Sequence, residues 1–155
     1  MEEVSLLVNG RTHVVEVDPS TPLLYVLRNN LGFKAAKYGC GDEQCGSCRV
    51  LVDGVPTYSC STPVVSFQES EIITVEGLSD TGVLGSVQRA FIDERAAQCG
   101  YCIAGILVTA FALTSCDPTP TGDQMREALS GHLCRCGTHA RIIAAVQSAI
   151  AETRS

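Results

Sequence analysis

The residues best equipped for chemistry are nine cysteines, at positions 40, 45, 48, 60, 99, 102, 116, 134 and 136. Thiols of this number either pair as disulfides or, as thiolates, hold metal. Residues 1–9 carry Glu2 and Glu3, with no basic start and no sustained apolar run, so no secretion signal is expected there. The expected location is the cytoplasm, with any contact with the inner face of the membrane made through partners. Thiols stay reduced in that compartment, which makes metal ligation the better reading and leaves spacing to decide which metal.

Residues 40–48 read C-G-D-E-Q-C-G-S-C, and Cys60 follows at the far side of a predicted hairpin. This is C-x4-C-x2-C with a distant fourth cysteine, the plant-type [2Fe-2S] ferredoxin spacing. One loop has to wrap a flat cluster, so three thiolates surround it while backbone N–H groups point at sulfur. Gly39, Gly41 and Gly46 allow that close approach. A structural zinc site is the competing use of four thiolates, but it usually takes two C-x2-C knuckles, and only one such pair is present in this group.

The second group is Q-C-G-Y-C at 98–102 and L-C-R-C-G-T at 133–138. Taken alone, C-x2-C with a distant C-x-C fits zinc or a redox dithiol as well as a cluster. Beside the first group, it reads as a second cluster site on Cys99, Cys102, Cys134 and Cys136. Cys99 and Cys102 fall at the start of a helix, where free N–H groups favour negative charge.

The elements that must position these residues divide the chain in two. Val4 to Val8 and Val14 to Val17 flank Asn9-Gly10, a hairpin signal that a wider loop would also satisfy. Thr21 and Pro22 predict an N-cap and first helical position for a helix bearing Leu23, Leu24, Leu27 and Leu31. Val50-Leu51-Val52, Asp53-Gly54 and Val55 predict a second hairpin, and Glu71 to Glu76 a last strand. Around Gly77 to Gly85 the apolar period changes from two to 3.6, with Leu84, Val87, Phe91 and Ile92 on one face. Ile103 to Ser115 predicts an apolar helix, broken by Asp117-Pro118-Thr119-Pro120. Thr121 with Gln124 predicts a capping box, and Ile142, Ile143, Val146 and Ile150 a closing helix. The expected class is α+β: a β-grasp, ferredoxin-like domain over 1–77, then a four-helix-bundle cluster-binding domain over 78–155.

Composition excludes other classes. A net charge of −6 argues against nucleic acid, whose binding rests on Lys and Arg neutralising phosphates. The longest apolar run, Ile103 to Leu113, is well short of the roughly 20 residues that span a bilayer.

Over essentially its whole length the chain resembles the small iron–sulfur subunits of the xanthine oxidase family of molybdenum hydroxylases. The residues that carry the resemblance are the C-G-D-E-Q-C-G-S-C loop, Val75-Glu76-Gly77-Leu78, Q-C-G-Y-C and L-C-R-C, in that order. Q-C-G-Y-C-x-x-G and L-C-R-C-G-T are most similar to the isoquinoline 1-oxidoreductase and nicotinate dehydrogenase type. The resemblance implies a large partner subunit carrying molybdenum on molybdopterin cytosine dinucleotide, where water supplies the oxygen inserted into a substrate C–H bond. It implies single electrons passing through the helical-domain cluster and then the ferredoxin-domain cluster on Cys40, Cys45, Cys48 and Cys60. It places Gln98 and Cys136 against the pterin. The implied substrate is an N-heteroaromatic compound or an aldehyde, bound in the large subunit. The implied acceptor is a cytochrome c-type protein or, alternatively, an FAD subunit.

Three positions depart from the family's pattern. His132 stands where relatives often have Asn, His139 where they often have an aromatic, and Glu43 where a glycine is usual, which questions the loop shape. Cys116 matches no ligand position and is expected to be a buried or semi-buried structural thiol. His132 invites a Rieske-like reading that four cysteines already make unnecessary. His13 is expected to face solvent, Arg135 to be a surface charge or a cofactor contact, and Lys34, Lys37 and Arg49 to be solvated or to dock an acceptor. Two readings compete with that of an enzyme's electron-transfer subunit. One is a free-standing two-cluster carrier or redox sensor, the other a zinc-stabilised interaction module.

Overall fold

The computed structural model of the chain describes residues 1–79 and 83–154. Strands β1 (Glu2–Val8) and β2 (Arg11–Val17) form an antiparallel hairpin whose register pairs Val8 with Arg11. The connection is therefore two residues. Asn9 at φ 50° and Gly10 at φ 73° take the left-handed pair of angles that matches the twist of the strands, which settles the choice between tight turn and wider loop. Asp53 and Gly54 repeat the device between β3 (Val50–Val52) and β4 (Val55–Thr57).

Strand β5 (Glu71–Ile73) lies parallel to β1 and antiparallel to β3, giving a sheet in the order β2-β1-β5-β3-β4. It is shorter than the run to Glu76 predicts, because Val75–Gly77 tightens into a 3-10 turn. Helix α1 covers Leu23–Tyr25 and continues as a π-helical turn over Val26–Asn30. Pro22 rather than Thr21 is its N-cap: it stays extended and bridges Pro63, so the helix begins one residue later than expected. Leu23, Leu24, Val26 and Leu27 pack against Val4, Leu6, Val8, Val50 and Ile72 to make the first core.

The second half holds α2 (Ser86–Asp93), α3 (Ile103–Thr114), α4 (Gly122–Ser130) and α5 (His139–Thr153). Part of the 77–85 stretch, residues 80–82, lies outside the described residues. Helix α2 buries Val87, Ala90 and Phe91, while Ile92 and Leu84 face outward, so its apolar stripe is rotated from the one expected. The capping box is formed as predicted: the Gln124 N–H donates to Thr121 Oγ1 at 3.3 Å and the Thr121 N–H to Gln124 Oε1 at 2.8 Å. Together the halves give the α+β class expected.

The two cores share one strand. Side chains alternate across β3, so Val50 enters the first core, whereas Leu51, only 2 % exposed, enters the second with Ile106, Val108 and Val146. The sheet face that would otherwise meet water at β3 is thus covered by the helical half.

Candidate iron–sulfur sites

All nine cysteines are free thiols. In the loop before β3, three N–H groups converge on one sulfur: those of Asp42, Gln44 and Cys45 donate to Cys40 Sγ at 3.4, 3.3 and 3.3 Å. The Cys40 N–H in turn donates to Cys45 Sγ at 3.3 Å. The Asp42 and Gln44 amides are the largest influences bringing the Cys40 thiol down to about 7, since they stabilise a thiolate. Glu43 makes this winding possible by taking φ 54°, the left-handed angle that a glycine would supply more cheaply, and Ser61 Oγ donates to its carboxylate. The loop shape that Glu43 put in question is therefore kept.

Cys48 behaves differently: burial pushes its thiol up to about 11, and Cys60 lies within hydrogen-bonding reach of it. The helical half repeats the contrast. Backbone and thiol contacts from Tyr101 and Cys136 lower Cys99. Burial first, then the neighbouring Cys134, raises Cys102 to about 12. Burial opposes ionisation of Cys134, but the backbone and hydroxyl of Thr138 and the Cys102 thiol outweigh it and bring it to about 7.

Thiol contacts link Cys40 with Cys45, Cys48 with Cys60, Cys99 with Cys136, and Cys102 with Cys134, and in the helical half Cys99 also lies near Cys134 and Cys102. Among the described residues, no three of His, Cys, Asp or Glu converge as on a single ion. Two pairs per site is the arrangement a two-iron cluster takes, each iron receiving two thiolates. A lone tetrahedral zinc needs all four to converge on one point. Buried thiols that resist ionisation without a cation, beside N–H groups aimed at sulfur, make a donor set that fits [2Fe-2S].

The two sites meet at a close seam. The Leu133 N–H donates to the Cys45 carbonyl at 3.0 Å, joining the first ligand loop to the residue before Cys134. Gly46, at φ 77°, lies under His132, and Gly105 of α3 faces the Gly46 carbonyl so closely that a β-carbon there would stand 1.9 Å from it. His132 is 3 % exposed. Its Nε2 lies 2.8 Å from Thr109 Oγ1 and 3.2 Å from Arg49 Nη1. An arginine only donates, so Nε2 accepts and the ring is neutral. Burial and, second, the Arg49 charge bring His132 down to about 4.

Several single residues differ from expectation. Arg49 is turned into the seam rather than solvated, because Tyr58, Thr109 and His132 together offer it hydrogen bonds and a ring. Cys116 is exposed at the end of α3, with its Sγ 3.6 Å from the Ala112 carbonyl, because the break at Asp117-Pro118 carries it off the bundle. His13 is half-buried edge-on against Phe33, with ring centroids 5.9 Å apart. Lys37 Nζ folds back onto the Lys34 and Ala35 carbonyls. Gln98 and Arg135 are exposed, His139 opens α5, and Cys136 is half-buried. The Arg49–His132 contact is not legible in the sequence: the two residues lie 83 positions apart, and no local pattern links them.

Two family models match: a 2Fe-2S iron–sulfur cluster binding domain over residues 6–71 and a [2Fe-2S] binding domain over residues 74–147. A nicotinate dehydrogenase subunit from Pseudomonas putida is 50 % identical over 151 residues, spanning 97 % of this chain and 96 % of its own. The small subunit of nicotine 6-hydroxylase from Paenarthrobacter nicotinovorans is 42 % identical over 147 residues, spanning 95 % and 88 %. The crystal structure of quinoline 2-oxidoreductase from Pseudomonas putida 86 superposes with a TM-score of 0.93 at 41 % identity, covering 99 % of this chain and 96 % of that one. With both cluster-binding models matched in order, the chain belongs to the small iron–sulfur subunits of the xanthine oxidase family of molybdenum hydroxylases, and its work is electron transfer.

Proposed function

We propose that Cys40, Cys45, Cys48 and Cys60 hold one [2Fe-2S] cluster and that Cys99, Cys102, Cys134 and Cys136 hold the other. The observation that carries this assignment is the convergence of backbone N–H groups on sulfur in the first ligand loop, beside thiol contacts that link Cys48 with Cys60 and Cys102 with Cys134. A [2Fe-2S] cluster held at each site would supply one-electron exchange, suited to carrying electrons singly from a two-electron oxidation in the large subunit. The chain's own residues fix where that happens. The amides of Asp42, Gln44 and Cys45 stabilise negative charge on Cys40, and the Leu133–Cys45 bond holds the two sites at one distance.

The order proposed is helical site first and ferredoxin site second, with Gln98 and Cys136 against the pterin. Support comes from exposure: Leu133, directly before Cys134, is 64 % exposed, and Tyr101, between Cys99 and Cys102, is 49 % exposed. Apolar surface of this kind beside a metal site suits a covering subunit better than the polar surface of a free-standing carrier. The division proposed is 1–77 and 78–155, supported by the two cores, although Leu51, Ile73 and Val75 of the first part pack against the second core.

The relatives' names point to an N-heteroaromatic substrate, with an aldehyde as the alternative, bound in the large subunit. The acceptor proposed is a cytochrome c-type protein; the alternative is an FAD subunit. The complex is placed in the cytoplasm. No described helix is long and apolar enough to cross a membrane.

The test is iron content and paramagnetic spectra of the purified complex. About four irons per chain are expected. Cys45→Ser should remove one reduced-cluster signal and Cys102→Ser the other. Far fewer irons, or spectra unaltered by either change, would refute the assignment.

A further inference from the structure

Arg49 follows Cys48 directly, yet its side chain crosses to the helical half. Nη1 lies 3.2 Å from His132 Nε2 and 3.4 Å from Thr109 Oγ1, and Nη2 donates to the Tyr58 hydroxyl at 2.7 Å. The guanidinium carbon sits 4.5 Å from the centre of the Tyr58 ring. None of these partners is an anion. Among the described residues the ion pairs are Arg89–Glu152 and Arg126–Asp123, so no carboxylate neutralises Arg49. Its Nε is buried without a partner.

A guanidinium cannot escape this position by losing its proton. A half-buried cation whose contacts are all dipoles is less favourable than a solvated one unless negative charge lies close by. The seam brings such charge from both sides. Cys48 is the adjacent residue, the Cys45 carbonyl is bonded across the seam, and Cys134 lies two residues beyond His132. Four thiolates, two sulfides and two ferric ions sum formally to −2, and one added electron makes −3. The contacts that fix the guanidinium come from Tyr58 of the ferredoxin half and from Thr109 and His132 of the helical half, so it is held between the two sites.

We propose that Arg49 is the shared counter-ion of the two clusters, a positioning residue whose fixed charge raises the reduction potential of both and eases the presence of electrons on both at once. The inference rests on the ligand assignment above. A positive charge favours the more negative, reduced state, so the direction is set. Neutral Thr109, His132 and Tyr58 hold the fork in place but supply no charge of their own.

The experiment is a redox titration of the native complex followed by electron paramagnetic resonance, on wild type, Arg49→Gln and Arg49→Lys. The Gln variant is expected to lower the reduction constant of the ferredoxin-half cluster on the order of tenfold, about 59 mV for a one-electron couple. The helical-half cluster should move in the same direction. The Lys variant, which keeps the charge but loses the fork, should restore most of the shift. Should the Gln variant lose its clusters, Arg49→Met, neutral and of similar length, takes its place beside the Lys variant: a downward shift in Met that Lys restores supports the inference, and potentials near wild type in Met overturn it. Equal shifts in both variants, or none in either, also overturn it. Absence of two cluster signals in the wild-type complex would instead sink the ligand assignment, and this inference with it.

Discussion

Replacing Gly105 by Ala reverses an ordinary expectation. Within a helix, Gly to Ala gains about 1 kcal/mol, because alanine loses less backbone freedom on folding. Gly105 sits in α3, but a β-carbon there would stand 1.9 Å from the Gly46 carbonyl oxygen and 2.9 Å from its carbon. Ordinary contact begins at 3.4 Å, so one backbone must retreat by about 1.5 Å. Neither can do so freely. The Gly46 carbonyl also accepts from the Arg49 N–H at 3.1 Å, and Gly46 itself lies between Cys45 and Cys48, the ligands proposed for the first cluster. Overpacking costs about 1–3 kcal/mol, and a clash between two backbones belongs at the upper end. The net effect is a loss of about 2 kcal/mol, or about 5 °C in the midpoint for a chain of this length. Thermal loss of cluster absorbance in the loaded complex measures it. Gly122→Ala is the control, since its β-carbon meets only Arg126 Nη1, at 3.5 Å. A Gly105→Ala protein as stable as wild type, with both cluster spectra unaltered, would refute the close approach on which the seam depends.

Two further changes probe the frame around the sites. Leu51→Ala should cost about 2–5 kcal/mol by opening a cavity in the helical core, although Leu51 lies on a strand of the sheet; limited proteolysis should then release the helical half first, whereas Val50→Ala should loosen the ferredoxin half. Glu43→Gly should relieve about 1 kcal/mol of left-handed strain and forfeit the Ser61 contact, so the first cluster should be retained with little change in thermal stability, and its loss would contradict the loop geometry.

What could be read in the sequence was local. The Asn9-Gly10 and Asp53-Gly54 turns and the Thr121–Gln124 box depend on residues within a few positions of one another, and each formed as its spacing dictates. The failures share a cause. Leu51 looks like any strand residue until α3 covers its face of the sheet. Arg49 looks solvated until His132 and Thr109 arrive from 83 and 60 positions away. Ile92 fits the helical stripe by period, but the docking of α2 selects Val87, Ala90 and Phe91 instead. Cys116, apolar by type, ends outside because the chain turns away after α3.

The contacts at the seam divide two tasks that a relay must keep apart. Backbone groups set the approach: the Leu133 N–H bond to the Cys45 carbonyl and the contact of Gly46 with Gly105 leave no side chain to lengthen or shorten it. Distance is therefore insensitive to most substitutions, as tunnelling between fixed centres requires. Charge is left to the arginine admitted there, Arg49, whose neutral partners hold it without cancelling it. Substitutions at 49 and 58 can then retune the potentials without moving the centres, whereas at 46 and 105 any added atom moves them. The two classes of variant should separate cleanly, one shifting midpoint potentials at constant intercluster magnetic coupling and the other changing that coupling.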